Sequence, residues 1–315
     1  MIKFRIEEKE DGAVLEIEGK RTAPLDLQEM LDLSEGLRTY VLENAHHADA
    51  PPLRTVTVGD TAFKVTAADK PDFWDKVDSG NWEPETFRVF DRFIDRDTVF
   101  LDVGAWIGST ALYAAPHAKE THAFEPDPVA FEQLKKNLDA NGRSAWAERV
   151  ALHREAIAPA NGTMEMGSRS DKGDSMSSAL LSEKEDSWEV KTLALGTFVK
   201  AQGLSGEKLF LKIDIEGGEY NLIPALGTFL KREDCAVFLS LHPEFLLEQL
   251  RASYGGPFRE IRVRAAFWKK HRSLLKALPF PKVTYTNGKP LNRTKALTKA
   301  LLFAKFTHGL LACDG

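Results

Sequence analysis

The sequence predicts an α/β protein: a doubly wound, mostly parallel sheet that ends in a C-terminal antiparallel strand pair and carries a small N-terminal α+β appendage. Three observations predict it. From Val99 onward, short apolar runs alternate with amphipathic helical stretches, which is the pattern of βα units. A glycine turn, "LDVGAWIG" at 101–108, joins the first of these strands to its helix. Two later runs, "KLFLKID" at 208–214 and "CAVFLSL" at 235–241, are apolar almost without interruption, as strands buried on both faces require.

The chain has 315 residues, enough for one large domain with an appendage. The boundary is expected after residue 80, with residues 1–80 as the appendage and 81–315 as the main domain. A net charge of −5 gives no general pull toward nucleic acid, which is not expected as a partner. Two cysteines, Cys235 and Cys313, make neither a disulfide framework nor a zinc ribbon, and fit a reducing compartment. The start "MIKFRIEEKEDG" is polar and alternating. No run approaches the roughly 18 apolar residues of a membrane span, so the expected localisation is cytoplasmic.

The elements follow in order. "IKFRIEEKEDGAVLEIEG" alternates apolar and polar residues on either side of Asp11-Gly12, a hairpin pattern. Pro24 to His47 reads as helix, with Leu25, Leu27, Met30, Leu31 and Leu37 as its apolar face. His46 and His47 diverge there by about 100° and read as a solvated helix end rather than a metal pair. "LRTVTVGDTAFKV" is a second hairpin, turning at Gly59-Asp60. "PETFRVFDRFI" puts Phe87, Phe90, Phe93 and Ile94 on one stripe. Next are expected strand 99–103, helix 109–115, strand 120–124, helix 128–141, strand 150–156 and a strand near 163–166. Residues 167–187 are Ser-rich and aperiodic; they read as an exposed loop, either a lid over an acceptor or a plain insertion. A strand "WEVKTLAL", a helix over 195–202 and the two apolar strands follow. A helix over 257–277, "KVTYTNGKPL", a helix near 291–303 and "HGLLACD" complete the chain. The "TNGKP" turn marks the antiparallel pair.

The glycine turn narrows the ligand. In a dinucleotide fold the first glycine makes the turn, the second admits the pyrophosphate, and the third lets helix and strand pack closely. Gly104 and Gly108 fit the first and third positions, but Trp106 stands where the second belongs. Its ring, and Asp102 at the strand end, disfavour a phosphate. An acidic residue there suits a cationic or hydroxyl-bearing ligand. S-adenosyl-L-methionine, with an α-ammonium, a sulfonium and no phosphate, meets that description. Glu125 lies 23 residues after Asp102, at the end of the next strand, where a carboxylate can accept hydrogen bonds from both ribose hydroxyls.

"FLDVGAWIGSTALYAA", "HAFEPDPVAFEQLKKNLDANG" and "LFLKIDIEGGEYNLIPAL" occur in that order. Together they resemble the FkbM family of S-adenosylmethionine-dependent methyltransferases, from about Asn81 to Leu250 and more weakly beyond. The resemblance implies a seven-stranded Rossmann-like methyltransferase sheet. It also implies methylation of hydroxyl oxygens on sugars, glycans or other small-molecule natural products. Carried onto this sequence, it implies a cofactor turn of Asp102, Gly104, Ala105, Trp106, Gly108 and Ser109. The ribose-binding acid is then Glu125, followed by Pro126, and "EAIAPANG" lines the adenine with Glu155 and Ala156. "KIDIEGGE" matches the signature after the fourth strand, with Lys212, Asp214, Glu216, Gly217 and Glu219. Trp106 departs from the family, where a small polar residue is common.

Ligands of an open α/β sheet sit beyond the carboxyl ends of its strands, and Asp102, Glu125, Asp214 and His242 all fall at such ends. Asp214 and Glu216 flank Ile215 and share a strand face with Lys212. The candidate catalytic set is therefore Asp214, Lys212, His242 and Glu216. Asp214 orients or deprotonates the acceptor. Lys212 is expected to pair with Asp214 or Glu216, since burial without a partner is costly. His242, read as a neutral imidazole, is a candidate general base, against a purely structural role at the strand end. Asp214, Glu216 and His242 could also hold Mg²⁺ or Mn²⁺, but the metal-free reading is preferred. Met164, Met166 and Met176 offer an adaptable apolar wall.

Residues 258–277 interleave basic and apolar side chains. A helix packed on the sheet with a solvated basic face is preferred there over peripheral membrane contact. The expected partner is a small-molecule or saccharide acceptor. The alternatives are N-methylation and a non-catalytic nucleoside-binding module in which Trp106 closes the pocket. The missing central glycine argues against a dinucleotide oxidoreductase.

Overall fold

The computed structural model describes the strand backbones 4–9, 12–17 and 20–21, and residues 52–66, 70–167 and 187–313. Contacts divide the chain into two units, Met1–Pro52 and Leu53–Gly315. In the first unit, β1 (Phe4–Lys9), β2 (Gly12–Ile17) and β3 (Lys20–Arg21) form an antiparallel sheet in that order. β1 and β2 are the expected hairpin. The helix expected over Pro24 to His47, with its histidine pair, lies outside the described residues.

The second unit begins with β4 (Leu53–Val58), β5 (Thr61–Thr66), α1 (Pro71–Asp78) and α2 (Pro84–Phe93). Then come β6 (Thr98–Val103), α3 (Ser109–Ala114), β7 (Glu120–Phe124), α4 (Pro128–Asp139) and β8 (Val150–His153). β9 (Ala156–Ala158), β10 (Gly162–Met166), β11 (Trp188–Ala194) and α5 (Leu195–Ala201) follow. The chain continues through β12 (Lys208–Ile213), α6 (Glu219–Leu226), β13 (Cys235–Ser240), α7 (Pro243–Ser253) and α8 (Arg259–Ala277). It closes with β14 (Lys282–Tyr285), α9 (Arg293–Phe303) and β15 (Gly309–Cys313).

Seven strands form the central sheet, in the order β14-β15-β13-β12-β6-β7-β8. The five from β13 to β8 are parallel to one another. β15 runs antiparallel to both of its neighbours, β13 and β14, so the sheet is mixed and ends in an antiparallel pair. The strand order reverses between β6 and β12. A crevice opens where connections leave in opposite directions, and ligands of such sheets gather there.

Strand residues alternate between two cores. Val99, Leu101 and Val103 of β6, with Leu209, Leu211 and Ile213 of β12, join one core with Phe198, Leu222 and Phe267. Phe100, Phe210 and Phe238 point the other way, into a second core. This is the period of two expected of strands covered on both faces. Asp102 and Lys212 share the parity of Phe100 and Phe210, which places two charged residues on the same face.

The second core explains why the units divide after Pro52 rather than after residue 80, where the sequence reading put the boundary. Val56, Phe63 and Val65 of the β4–β5 hairpin, Trp74 of α1 and Phe87 and Phe90 of α2 all contribute to it. The hairpin is also fastened by side chains of α4 and its end. Asn137 Oδ1 accepts from Thr66 N at 2.8 Å, and Asn141 bonds both the N–H and the C=O of Lys64 at 2.8 Å. Val263, Phe267, Leu274 and Leu275 of α8 are buried, while Arg259, Arg262 and Arg264 are exposed. Among the described residues no helix is long and apolar enough to cross a membrane.

Candidate active site

A cavity of about 670 Å³ lies at the carboxyl ends of β6, β7, β12 and β13, within the range of small-molecule sites. The glycine turn makes its floor. Gly104 has φ +83°, and a Cβ on it would lie 1.8 Å from Asp214 O. Only glycine lets this turn press against the end of β12. Gly108 has φ +96°, and a Cβ there would lie 2.6 Å from Leu134 Cδ1 of α4. That is the close-packing role expected of the last glycine of the turn.

Trp106 adopts a left-handed φ of 49° without being glycine. Its N–H donates to Glu125 Oε2 at 2.8 Å. The indole packs edge-on against Phe73, with ring centroids 4.7 Å apart, and Lys70 Nζ lies 5.3 Å from its centroid. The ring therefore leans toward α1 and forms part of the wall, with the cavity open beside it. Glu125 is only 7% exposed, and its Oε1 accepts from Asp127 N at 2.8 Å. Burial outweighs these two hydrogen bonds and raises its pKa to about 7.

Asp102 does not reach the cavity. It is fully buried and lies directly opposite Lys212 in the β6–β12 register. Its Oδ2 accepts from Thr110 Oγ1 at 2.7 Å, and its Oδ1 is 3.1 Å from Lys212 Nζ. Lys212 also donates to Gly104 O at 2.8 Å and lies 3.6 Å from Asp214 Oδ2. Burial disfavours the ammonium, but Asp102 and Asp214 outweigh it and hold Lys212 protonated. The sequence reading set Asp102 against the ligand. In the structure it is instead the counter-ion of a lysine that ties the glycine turn to β12. Of the two partners expected for Lys212, the pairing goes to Asp214.

His242 follows β13 and precedes Pro243 at the start of α7. Its Nδ1 is 3.1 Å from Glu219 Oε1, and its Nε2 is 3.5 Å from Asp214 Oδ1 and 3.4 Å from Glu216 Oε2. Burial opposes its charge, but the three carboxylates prevail and raise its pKa to about 9. These surroundings favour the imidazolium of His242 over the neutral base expected from sequence. Burial raises Glu216 to about 8. Glu219 is fully buried and accepts from Ile215 N at 2.9 Å, which closes the turn after β12.

The remaining expected residues divide clearly. Ala105, Ser109, Pro126, Glu155 and Ala156 line the cavity, whereas Gly108 does not. Met164 and Met166 line it too. Met176 and most of the 167–187 loop lie outside the described residues. Sequence reasoning missed Phe73, Trp82 and Glu83, which contribute a wall from the segment before the first βα unit. The only signal was local: "DFWDKV" and "NWEPE" concentrate aromatics and acids without a motif. Glu83 has φ 41° at the N-cap of α2, and its Oε2 accepts from Thr86 Oγ1 at 2.9 Å.

The wall is strongly acidic. Glu83, Glu125, Glu155, Asp214 and Glu216 line the cavity against Lys212 and His242. Burial shifts Glu83, Glu125 and Glu216 toward their protonated forms, so the wall presents carboxyl groups that can both donate and accept hydrogen bonds. A cationic or hydroxyl-rich ligand would not be repelled.

Three known proteins are similar to parts of this chain. The crystal structure of the methyltransferase FkbM from Methylobacillus flagellatus KT is similar at 15% identity, over 46% of this chain and 33% of that one, with a TM-score of 0.35. Trm5b from Pyrococcus abyssi is similar at 9% identity, over 75% of this chain and 47% of that one, with a TM-score of 0.32. An uncharacterized protein of Methanocaldococcus jannaschii, MJ1452, is 38% identical over 54 residues, which are 17% of this chain and 21% of that protein's length. The sequence model of the methyltransferase FkbM domain matches residues 102–266. That stretch exceeds half of the chain and runs from the β6 carboxylate through the glycine turn, Glu125 and the Asp214–His242 cluster. The chain belongs to the FkbM methyltransferase family.

Proposed function

We propose that this methyltransferase moves a methyl group from S-adenosyl-L-methionine to a hydroxyl oxygen of a small-molecule or saccharide acceptor in the cavity. The observation that carries the reading is Glu125, fixed by two backbone N–H groups beside a glycine turn in a carboxyl-lined cavity, which suits the ribose of a phosphate-free nucleoside. When bound, this cofactor supplies an electrophilic methyl on a sulfonium. Glu125 holds the ribose: its two oxygens spend one lone pair each on Trp106 N–H and Asp127 N–H, and keep others for hydroxyl donors. Glu155 and Ala156 flank the adenine. Asp214 faces the acceptor, accepts its hydroxyl hydrogen bond and takes its proton. Lys212 Nζ, 3.6 Å from Asp214 Oδ2, holds that carboxyl group in place. Phe73, Trp82 and Trp106 exclude water from one side.

The test is transfer of labelled methyl to a panel of saccharide and natural-product alcohols, with amines as controls. Transfer to an alcohol is expected, with Asp214→Asn abolishing turnover while sparing cofactor affinity. Transfer to amines alone would overturn the acceptor assignment. Equal loss of turnover and cofactor affinity in Asp214→Asn would remove Asp214 from the acceptor side.

A further inference from the structure

At the β12–β13 end of the cavity, three carboxylates surround one imidazole. Glu219 grips His242 from behind: it is fully buried, fixed by Ile215 N–H, and 3.1 Å from Nδ1. Its second oxygen, Oε2, is buried with no hydrogen-bond partner among the described residues. A buried carboxylate behind a histidine orients the ring and accepts from its Nδ1–H, and the other nitrogen becomes a ligand once a cation displaces its proton to solvent.

That other nitrogen, Nε2, looks toward Asp214 Oδ1 at 3.5 Å and Glu216 Oε2 at 3.4 Å. Both distances exceed the roughly 2.7–3.2 Å of an N–H···O hydrogen bond. They match neighbouring ligand atoms around one small cation. With bonds of about 2.1 Å, ligands at a tetrahedral angle stand about 3.4 Å apart, and octahedral neighbours about 3.0 Å. One donor atom from each of Asp214, Glu216 and His242 lies within 4.8 Å of the others. All three residues line the cavity, so a bound ion would have open positions for water or substrate.

We propose that Asp214, Glu216 and His242 hold a divalent cation at the acceptor end of the cavity, with Glu219 orienting the histidine. The mixed imidazole and carboxylate set suits Mn²⁺ or Zn²⁺ better than Mg²⁺. The site itself stands on these donors. Its use, orienting an acceptor hydroxyl whose proton passes to the Asp214 oxygen that does not bind the ion, rests on the methyl-transfer reading above.

The experiment is Mn²⁺ binding to the full chain, followed by electron paramagnetic resonance, with Zn²⁺ as competitor. Binding of S-adenosylhomocysteine is measured on the same samples. The expected result is one Mn²⁺ per chain, displaced by Zn²⁺, with His242→Ala and Asp214→Asn each weakening it at least tenfold. Glu219→Gln is expected to weaken it by about tenfold, the cost of losing an orienting partner. Variants that still bind S-adenosylhomocysteine are folded. Lys119→Ala, on the surface and outside the cavity, should leave Mn²⁺ affinity unchanged. No Mn²⁺ or Zn²⁺ binding to the wild type, or binding that all three substitutions leave intact, overturns the proposal. Cofactor binding without metal binding removes the cation alone. Metal binding without cofactor binding removes the methyl-transfer reading instead.

Discussion

The N–H of Trp106 donates to Glu125 Oε2 at 2.8 Å, which fastens the turn after β6 to the end of β7. This bond accounts for a bulky residue at a turn position with φ 49°. Left-handed backbone is unfavourable for a side chain of this size. A charge-assisted hydrogen bond offsets the strain, and the ring contact with Phe73 directs the indole to the wall. One carboxylate thus both fastens the turn and lines the cavity.

Glu125→Ala is expected to lower affinity for S-adenosylhomocysteine by about tenfold or more, since a hydrogen bond to a charged group contributes about 1.5–3 kcal/mol. Glu125→Gln keeps one acceptor and should lose less. Titration calorimetry on both variants checks the order. Equal affinity in all three proteins would remove Glu125 from the ribose.

Cofactor binding should also release a proton. Glu125 titrates at about 7 in the folded chain, against an ordinary 4.5, because of burial. Its folded pKa is raised, so the folded state binds more protons than the unfolded between these values, and its contribution to stability falls as pH rises from 4.5 through 7. Ribose hydroxyls donating to the carboxylate favour its ionised form and pull the pKa back down. Binding heats at pH 6.5 should therefore differ between buffers of different ionisation enthalpy, and converge at pH 8.5. Identical heats at pH 6.5 would contradict a protonated Glu125.

Much of this was legible in the sequence, for local reasons. The glycine turn, the strand-end Glu125 and the two apolar strands are patterns within a few residues, and alternation placed Lys212, Asp214 and Glu216 together. What was not legible depends on register and distance. Asp102 faces Lys212 only because β6 and β12 pair in that register, so its role as a buried counter-ion has no local signature. His242 is held protonated by Glu219, 23 residues earlier, as well as by Asp214 and Glu216. The wall joins Phe73, from the segment read as an appendage, to Trp82 and Glu83 just past the expected boundary. It covers the Phe100–Phe210 face, and no motif announces that.

Lys212→Met should destabilise the fold strongly. It removes the cation between Asp102, fully buried, and Asp214, and breaking a buried pair from one side costs about 3–5 kcal/mol. Lys212→Met with Asp102→Asn should recover part of the loss. Denaturant unfolding of the two proteins decides this, and no recovery in the double variant would contradict the pairing.

Gly104→Ala should be among the most damaging conservative changes in the chain. The added Cβ meets Asp214 O at 1.8 Å, and φ is +83°. Backbone must move at the centre of the site, so both thermal midpoint and cofactor affinity are expected to fall. Gly59→Ala also has positive φ but meets nothing within 4 Å, and should cost only about 1–2 kcal/mol of left-handed strain while sparing affinity. Melting curves and calorimetry on the pair separate the two effects.

A carboxyl-lined cavity that takes a cationic, phosphate-free nucleoside should discriminate S-adenosylmethionine and S-adenosylhomocysteine from NADH in calorimetric titration of the wild-type chain. Saturable binding of the first two at one site per chain, and none of NADH, is expected. Binding of NADH in preference, or of neither adenosyl compound, would contradict it.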